Sequence, residues 1–284
     1  MKDKTQGLLQ IHLAVLLFGL AGLFGKLLSL SPFIIVLGRA FFASMTLGLV
    51  LVCLRHSLRV HSKKDLLAFI GLGGILALHW TTFFHAIQVS TVAIGLLTYA
   101  TFPAFVTFME PYFFRERFRL FDIFTAALVA CGIILVIPTF DFAHNVTQGA
   151  FWGTLSGFTF AVLSLLNRKY VKTYSSLVIA FYQNTFAMMT LLPFLAMLSQ
   201  SLVFKDILLL GVLGLFCTAL AHGLFIKALE HLRAQLASIT ACLEPLYGVL
   251  FALLLLGELP ALRTVAGGAV ILGTAVLASA RSRE

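Results

Sequence analysis

The chain has 284 residues, 60% of them apolar and only 11% charged, with a formal net charge of +9. Soluble globular chains average about 45–50% apolar and about 25% charged residues, so this composition excludes a soluble fold and calls for lipid as part of the solvent. A basic chain could also suit nucleic acid, but the placement of the charges, taken up below, assigns them to membrane orientation.

Leucine-rich runs of about 20 residues recur along the whole length, which fits helices crossing a hydrocarbon core about 30 Å thick. Transmembrane strands would be shorter and would alternate polar with apolar. The reading is an all-α integral membrane protein with ten transmembrane helices. The first run, 8–28, lacks a small-residue cleavage site and is expected to be retained rather than removed as a signal peptide. Lys26, near its outer end, is read as snorkelling to the interface. The second run, 32–54, carries Arg39 about seven residues in from its outer end. There it either snorkels or attracts an anionic group. The third, 66–87, brings His79 and Trp80, with His85 nearer the outer surface, and the fourth, 90–112, brings Thr98, Tyr99 and then Phe102-Pro103.

The fifth run, 119–138, follows Glu116, which lies between Arg115 and Arg117; Glu258 closes the ninth run near Arg263. Both carboxylates are read as interfacial ion pairs or helix caps. The sixth, 148–168, places Gly149, Gly153 and Gly157 at GxxxG spacing, which lets a neighbouring helix approach closely. It ends in Asn167 and Arg168, the latter expected to snorkel on the inner face. The seventh, 175–199, holds Gln183 and Asn184; the eighth, 204–228, holds His222. The ninth, 233–256, holds Thr240 and Glu244-Pro245, and the tenth, 260–280, is glycine-rich. The four cysteines, Cys53, Cys131, Cys217 and Cys242, all fall within runs without a CxxC pair, which argues against disulfides and zinc.

Glu244 is the costliest residue of the chain. It lies about ten residues into its run, and at 1.5 Å per residue that is about 15 Å deep, the midplane. An ionisable residue there costs about 2.5–3.5 kcal/mol on insertion scales. Pro245 lacks an N–H and should free the carbonyl of Ala241 and kink the helix, which is tolerable only where the freed groups face protein or water. Glu244 is therefore either a pathway residue or a structural carboxylate, paired or protonated.

Internal repetition groups other residues with it. An offset of 142 pairs Gly7 with Gly149, Lys26 with Arg168, Ala86 with Ala228, Pro103 with Pro245 and Glu116 with Glu258. At an offset of 144 "FASMTL" becomes "FAMMTL", and at 141 "KDLL" becomes "KDIL". The expected domains are 1–142 and 143–284, each with five spans. Five is odd, so the second repeat enters from the opposite side, and two inverted five-helix repeats place a substrate near the midplane between them. The 142 offset also makes Trp80 equivalent to His222 and Thr98 to Thr240. With His79 and Tyr99 they would form an aromatic wall with a few hydroxyls and imidazoles, suited to a mid-sized organic substrate. Helix packing through interhelical hydrogen bonds, about 0.6 kcal/mol each, is the plainer reading of each. The candidate substrate-binding set is Glu244, Trp80, His222, Tyr99, His79, Thr98, Thr240 and Arg39.

Of the 20 Lys and Arg, all but Lys26, Arg39, Lys205 and Arg263 fall on the N-terminal side of such a topology. By the positive-inside rule both termini are then cytoplasmic, and no nucleic-acid partner is implied.

The five-span repeat carrying "FPAFVTFMEPYFFRER" and then "LEPLYGVLFALLLLGE", with Arg39 in "LGRAFFAS" and the final "VAGGAVILGTAVLAS", resembles the EamA family of the drug/metabolite transporter superfamily. The resemblance implies ten helices, cytoplasmic termini, a central cavity lined mainly by the first, third and fourth helix of each repeat, and metabolite export. The chain departs from an even design in having Phe102 where the second repeat has Glu244. No Walker loop, HExxH helix or GxSxG elbow is present, so neither an enzyme nor a bound cofactor or metal is expected. The expectation is an inner-membrane secondary transporter exporting a small organic metabolite, an amino acid or related zwitterion as the first guess. Its partners would be that substrate, the lipid bilayer and a coupling proton, with oligomeric state open. Uptake or exchange, and a non-transporting membrane partner subunit, are the alternatives.

Overall fold

The computed structural model describes residues 2–114, 120–137, 139, 141–197, 202–232, 234–241 and 243–281, and among them every regular element is helical. The order is α1 (Lys2–Leu27), α2 (Pro32–Cys53), α3 (Lys63–Val89), α4 (Val92–Tyr99), α5 (Phe102–Phe114) and α6 (Leu120–Val136). There follow α7 (Asn145–Tyr170), α8 (Ser176–Leu191) with a 3₁₀ tail (Leu192–Met197), and α9 (Phe204–Gly214). A π turn (Leu215–Leu220) then leads into α10 (Ala221–His231), and α11 (Ala234–Ala241), α12 (Glu244–Leu256) and α13 (Leu262–Arg281) complete the chain.

Local chemistry sets the helix ends. Ser62 accepts from the Asp65 N–H and donates back to its carboxylate, starting α3. Thr91 and Ser175 accept from the backbone two or three residues into α4 and α8. Pro32 opens α2, where a missing N–H is harmless, and Gly257 at φ +67° closes α12.

Seven stretches are long and apolar enough to cross a membrane: Thr5–Leu27, Pro32–Cys53, Lys63–Val89, Val92–Phe114, Asn145–Tyr170, Ser176–Leu195 and Phe204–His231. Ile123–Val136, Glu244–Leu256 and Leu262–Thr274 are apolar but shorter. Large apolar side chains cover the outside as well as the core: Leu254 is 69% exposed while the guanidinium-bearing Arg39 is 2% exposed. Water could not support such a surface, and lipid can.

The helices of the first half pack mainly on those of the second. Helix α1 lies against α10 and α12, α2 against α8, α3 against α7 and α8, α4 against α7 and α12, and α6 against α13. The GxxxG face of α7 is what α4 and the turn after it rest on: a Cβ at Gly157 would stand 2.7 Å from the Tyr99 carbonyl oxygen.

At Pro245 the structure shows a full interruption where a kink is expected, and the Pro103 site has the same form. Helix α4 stops at Tyr99 and α5 restarts at Phe102; α11 stops at Ala241 and α12 restarts at Glu244. Pro103 and Pro245 thus sit in the first turn of a new helix, where the absent N–H breaks no bond. The two interruptions fall at equivalent positions under the 142 offset.

Candidate functional site

The two interruptions meet at one small cavity, with a free volume of about 30 Å³. Its walls come from α1 (Phe18, Ala21), α3 (Leu76, His79, Trp80, Phe83) and α4 (Tyr99), and from α7 (Phe160), α10 (His222) and α12 (Glu244), with Arg39 added from α2. Being the last residue of α4 and the first of α12, Tyr99 and Glu244 meet at the broken ends, and the Tyr99 hydroxyl hydrogen-bonds the Glu244 carboxylate. The second carboxylate oxygen, Glu244 Oε2, is buried without a protein partner.

Arg39 is held from two sides. Its Nε donates to Thr218 Oγ1 at 3.0 Å and Nη2 to the Cys217 carbonyl at 3.3 Å, while the guanidinium carbon lies 3.8 Å above the Trp80 ring. It interacts with the Glu244 charge through space, yet the direct ion pair found among the described residues is a different one, Arg168 with Glu110. The cavity wall therefore carries a guanidinium and a carboxyl group that form no direct ion pair with each other.

The imidazoles are oriented. His79 Nδ1 lies 3.0 Å from the Ser156 carbonyl and 2.9 Å from Ser156 Oγ, which also reaches the His79 carbonyl at 3.1 Å, so the ring is fixed by α7. The Trp80 and His222 rings meet edge to face at 5.8 Å, and His79 lies 5.6 Å from Tyr99. Phe102 is fully buried, stacked on Tyr99 at 5.1 Å and edge-on to Phe160 at 4.9 Å. At the position equivalent to Glu244 the first half thus supplies packing, and the charge is one-sided.

Of the eight sequence-derived candidates, Glu244, Trp80, His222, Tyr99, His79 and Arg39 are brought together around the cavity. Thr98 and Thr240 are not. Thr98 packs on Gly153 of α7 and turns its hydroxyl back to the Ile94 carbonyl, and Thr240 does the same to Leu236. A hydroxyl that satisfies itself on its own helix has no need of a ligand.

Snorkelling fails for two cations. Arg39 points inward, and Arg168 is paired with Glu110 and lies 4.4 Å over Phe114. Lys26, exposed, donates to the Ser90 carbonyl at 2.8 Å. Glu258 caps the start of α4, accepting from the Val92 N–H at 2.8 Å. Asn167, Gln183 and Asn184 form a buried polar patch beside the cavity, where Gln183 bonds Asn167 and Asn184 approaches His222 at 3.5 Å. His85 meets Trp152 edge-on. Glu116 with Arg115 and Arg117, and Cys242, lie outside the described residues; Cys53, Cys131 and Cys217 are free thiols.

Sequence reasoning passed over two residues. Glu110 is followed by Pro111, so it repeats the very dipeptide that drew notice at Glu244, and it is buried. Thr218 had no signal, because its role depends on a π turn that contains neither glycine nor proline.

A scan against protein-family models matches the description "EamA-like transporter family" at residues 5–137 and again at 147–280. The chain is 24% identical over 276 residues to a protein of Bacillus subtilis (strain 168) named as an uncharacterized transporter, YxxF, covering 94% of this chain and 87% of that one. It is 26% identical to one of Salmonella typhimurium (strain LT2) named as an uncharacterized inner membrane transporter, YicL, covering 100% and 98%. One solved crystal structure shares the fold with a TM-score of 0.71 at 18% identity, over 100% of this chain and 97% of the other. With both halves matched to one family model around a polar cavity inside apolar helices, the chain belongs to the EamA-like transporter family.

Proposed function

We propose that the protein is a secondary transporter of the inner membrane that exports a small organic metabolite by alternating access, with an amino acid or related zwitterion as the substrate class. The reading takes the helices as ten spans in two inverted repeats, 1–142 and 143–284, with both termini cytoplasmic. It is supported by the equivalent interruptions after Tyr99 and Ala241 and by the charge bias of the loops. The observation that carries it is the presence of Arg39 and Glu244, not ion-paired with each other, in a cavity lined largely by aromatic rings. A substrate with an anionic and a cationic end would engage both. A non-transporting partner subunit would have no evident need for an ionisable Glu244 beside a helix interruption in the apolar interior.

Driving energy comes from the substrate gradient or from proton exchange. The titratable and charged groups that share the cavity with Glu244 are Arg39 on α2, His79 on α3, Tyr99 on α4 and His222 on α10. A proton and the ammonium of a substrate compete for the same carboxylate, so the departure of one accompanies the binding of the other. The test is flux of radiolabelled leucine in proteoliposomes across a pH series, for wild type and Glu244→Gln. Wild type should show pH-dependent flux, and the Gln variant, which keeps shape but cannot titrate, should fold and lose that dependence. An unchanged rate and pH profile in Glu244→Gln makes the residue structural, and absence of flux with any amino acid removes the substrate class.

A further inference from the structure

The π turn at Leu215–Leu220 has no counterpart in the first half, where α3 runs through without interruption. Short π segments inside α-helices widen the backbone by one residue and recur at functional sites. Here the widening has a specific effect. The Ala221 N–H bonds the Phe216 carbonyl, bypassing that of Cys217, which would be its α-helical partner. Cys217 O instead accepts from Arg39 Nη2. The Thr218 hydroxyl likewise reaches five residues back, donating to the Leu213 carbonyl at 2.7 Å. Its proton is thereby committed, and the oxygen lone pair faces Arg39 Nε at 3.0 Å.

Close approach of the two elements is arranged in the backbone. A Cβ at Gly214 would lie 2.9 Å from the Arg39 carbonyl, so only glycine lets α2 press against the turn. Trp80 then covers one face of the guanidinium at 3.8 Å. The hold uses two of the five N–H donors of an arginine, and the same side chain lines the cavity. A planar, fixed fork with donors to spare is the geometry that recognises a carboxylate through two parallel bonds.

We propose that Thr218 and the π turn are the positioning device that fixes Arg39 as the receptor for the carboxylate of the transported molecule. This rests on the amino-acid reading above, and it assigns the anionic end of the substrate to Arg39 and the cationic end to Glu244. Thr218 is a positioning residue: it acts through Arg39 and does not touch the cavity.

The chain has two tryptophans, so a Trp152→Phe background isolates the emission of Trp80, which the guanidinium covers. Detergent-purified full-length protein is titrated with leucine, with 4-methylpentanoate (no ammonium) and with 3-methylbutylamine (no carboxylate). Leucine and 4-methylpentanoate should perturb Trp80 emission at concentrations where the amine does not. Thr218→Val should shift the ligand-free emission and weaken both carboxylates roughly tenfold, the worth of one charge-assisted hydrogen bond, while Thr218→Ser restores both. If Thr218→Val alters thermal stability but leaves carboxylate binding at the wild-type level, the turn is only a tie between helices and the inference is overturned. No response to either carboxylate overturns it as well, whatever the flux assay shows. Loss of flux with carboxylate binding intact sinks the transport reading and spares this one.

Discussion

Glu110 and Arg168 form a pair between α5 and α7, from opposite halves of the chain, with Phe114 beneath the guanidinium. Breaking a buried pair by removing one partner costs about 3–5 kcal/mol, because the other charge is left behind in a poor solvent. Arg168 keeps some exposure, so Glu110→Gln should destabilise by about 3 kcal/mol, read from the apparent unfolding temperature in detergent. The double variant Glu110→Gln/Arg168→Gln should recover part of the loss; equal loss in both would mean the pair contributes packing alone. Cost was the signal that made single residues legible in the sequence. Glu244 stood out because a carboxylate at mid-depth must be explained, and Arg39 for the same reason. Which way a side chain turns was not legible. Arg168 reads like its equivalent Lys26, because its partner lies 58 residues away in the chain. Thr98 and Thr240 read as cavity lining, because nothing in a sequence shows a hydroxyl folding back on a carbonyl of its own helix.

Among the elements, α7 is the one on which the site depends for its shape. Its glycines carry the end of α4, so the position of Tyr99 is set by how closely the two backbones meet. Gly157→Ala should cost about 1–3 kcal/mol by overpacking, and should lower flux by displacing the Tyr99–Glu244 contact. Gly71→Ala, where no atom lies within 4 Å of the added methyl, should be neutral or stabilise by up to about 1 kcal/mol, since alanine is the better helix former. Thermal melts and liposome flux of the two variants check this, and equal behaviour would show that the close approach is not required. Glycine spacing gave this contact away in advance. The proline positions were also informative, although the outcome was a complete stop and restart of the helix rather than a bend, because proline is most comfortable one turn into a new helix. The π turn left no trace in the local sequence. Its groups meet Arg39 from 178 and 179 residues away, and contacts of that kind have no period to read.

At the scale of the whole molecule, apolar periodicity and charge bias were the legible features. Leucine-rich runs announce lipid-facing helices irrespective of partners, whereas the apolar stretches Ile123–Val136, Glu244–Leu256 and Leu262–Thr274 are shorter than the runs the sequence suggests. The inverted ten-span reading makes a direct prediction. With Cys53, Cys131, Cys217 and Cys242 all replaced, single cysteines at Arg59 and Asn145, both exposed, should react with a membrane-impermeant maleimide from opposite sides: Arg59 from the cytoplasm, Asn145 from outside. Labelling of both from one side would end the reading.

The cap that Glu258 places on α4 also has a history in the making of the chain. Val92 leaves the ribosome 166 residues before the carboxylate that will hold it, and Arg39 precedes Thr218 by 179. At translation rates of about 5–20 residues per second, each waits on the order of ten to thirty seconds for its partner. During that interval Arg39 has Trp80 but lacks its Thr218 and Cys217 acceptors, and the start of α4 has the Thr91 cap but not the carboxylate. Nascent chains interrupted before Thr218 would therefore carry an unsatisfied charge in hydrocarbon, a mark by which membrane quality control can tell a fragment from a finished protein.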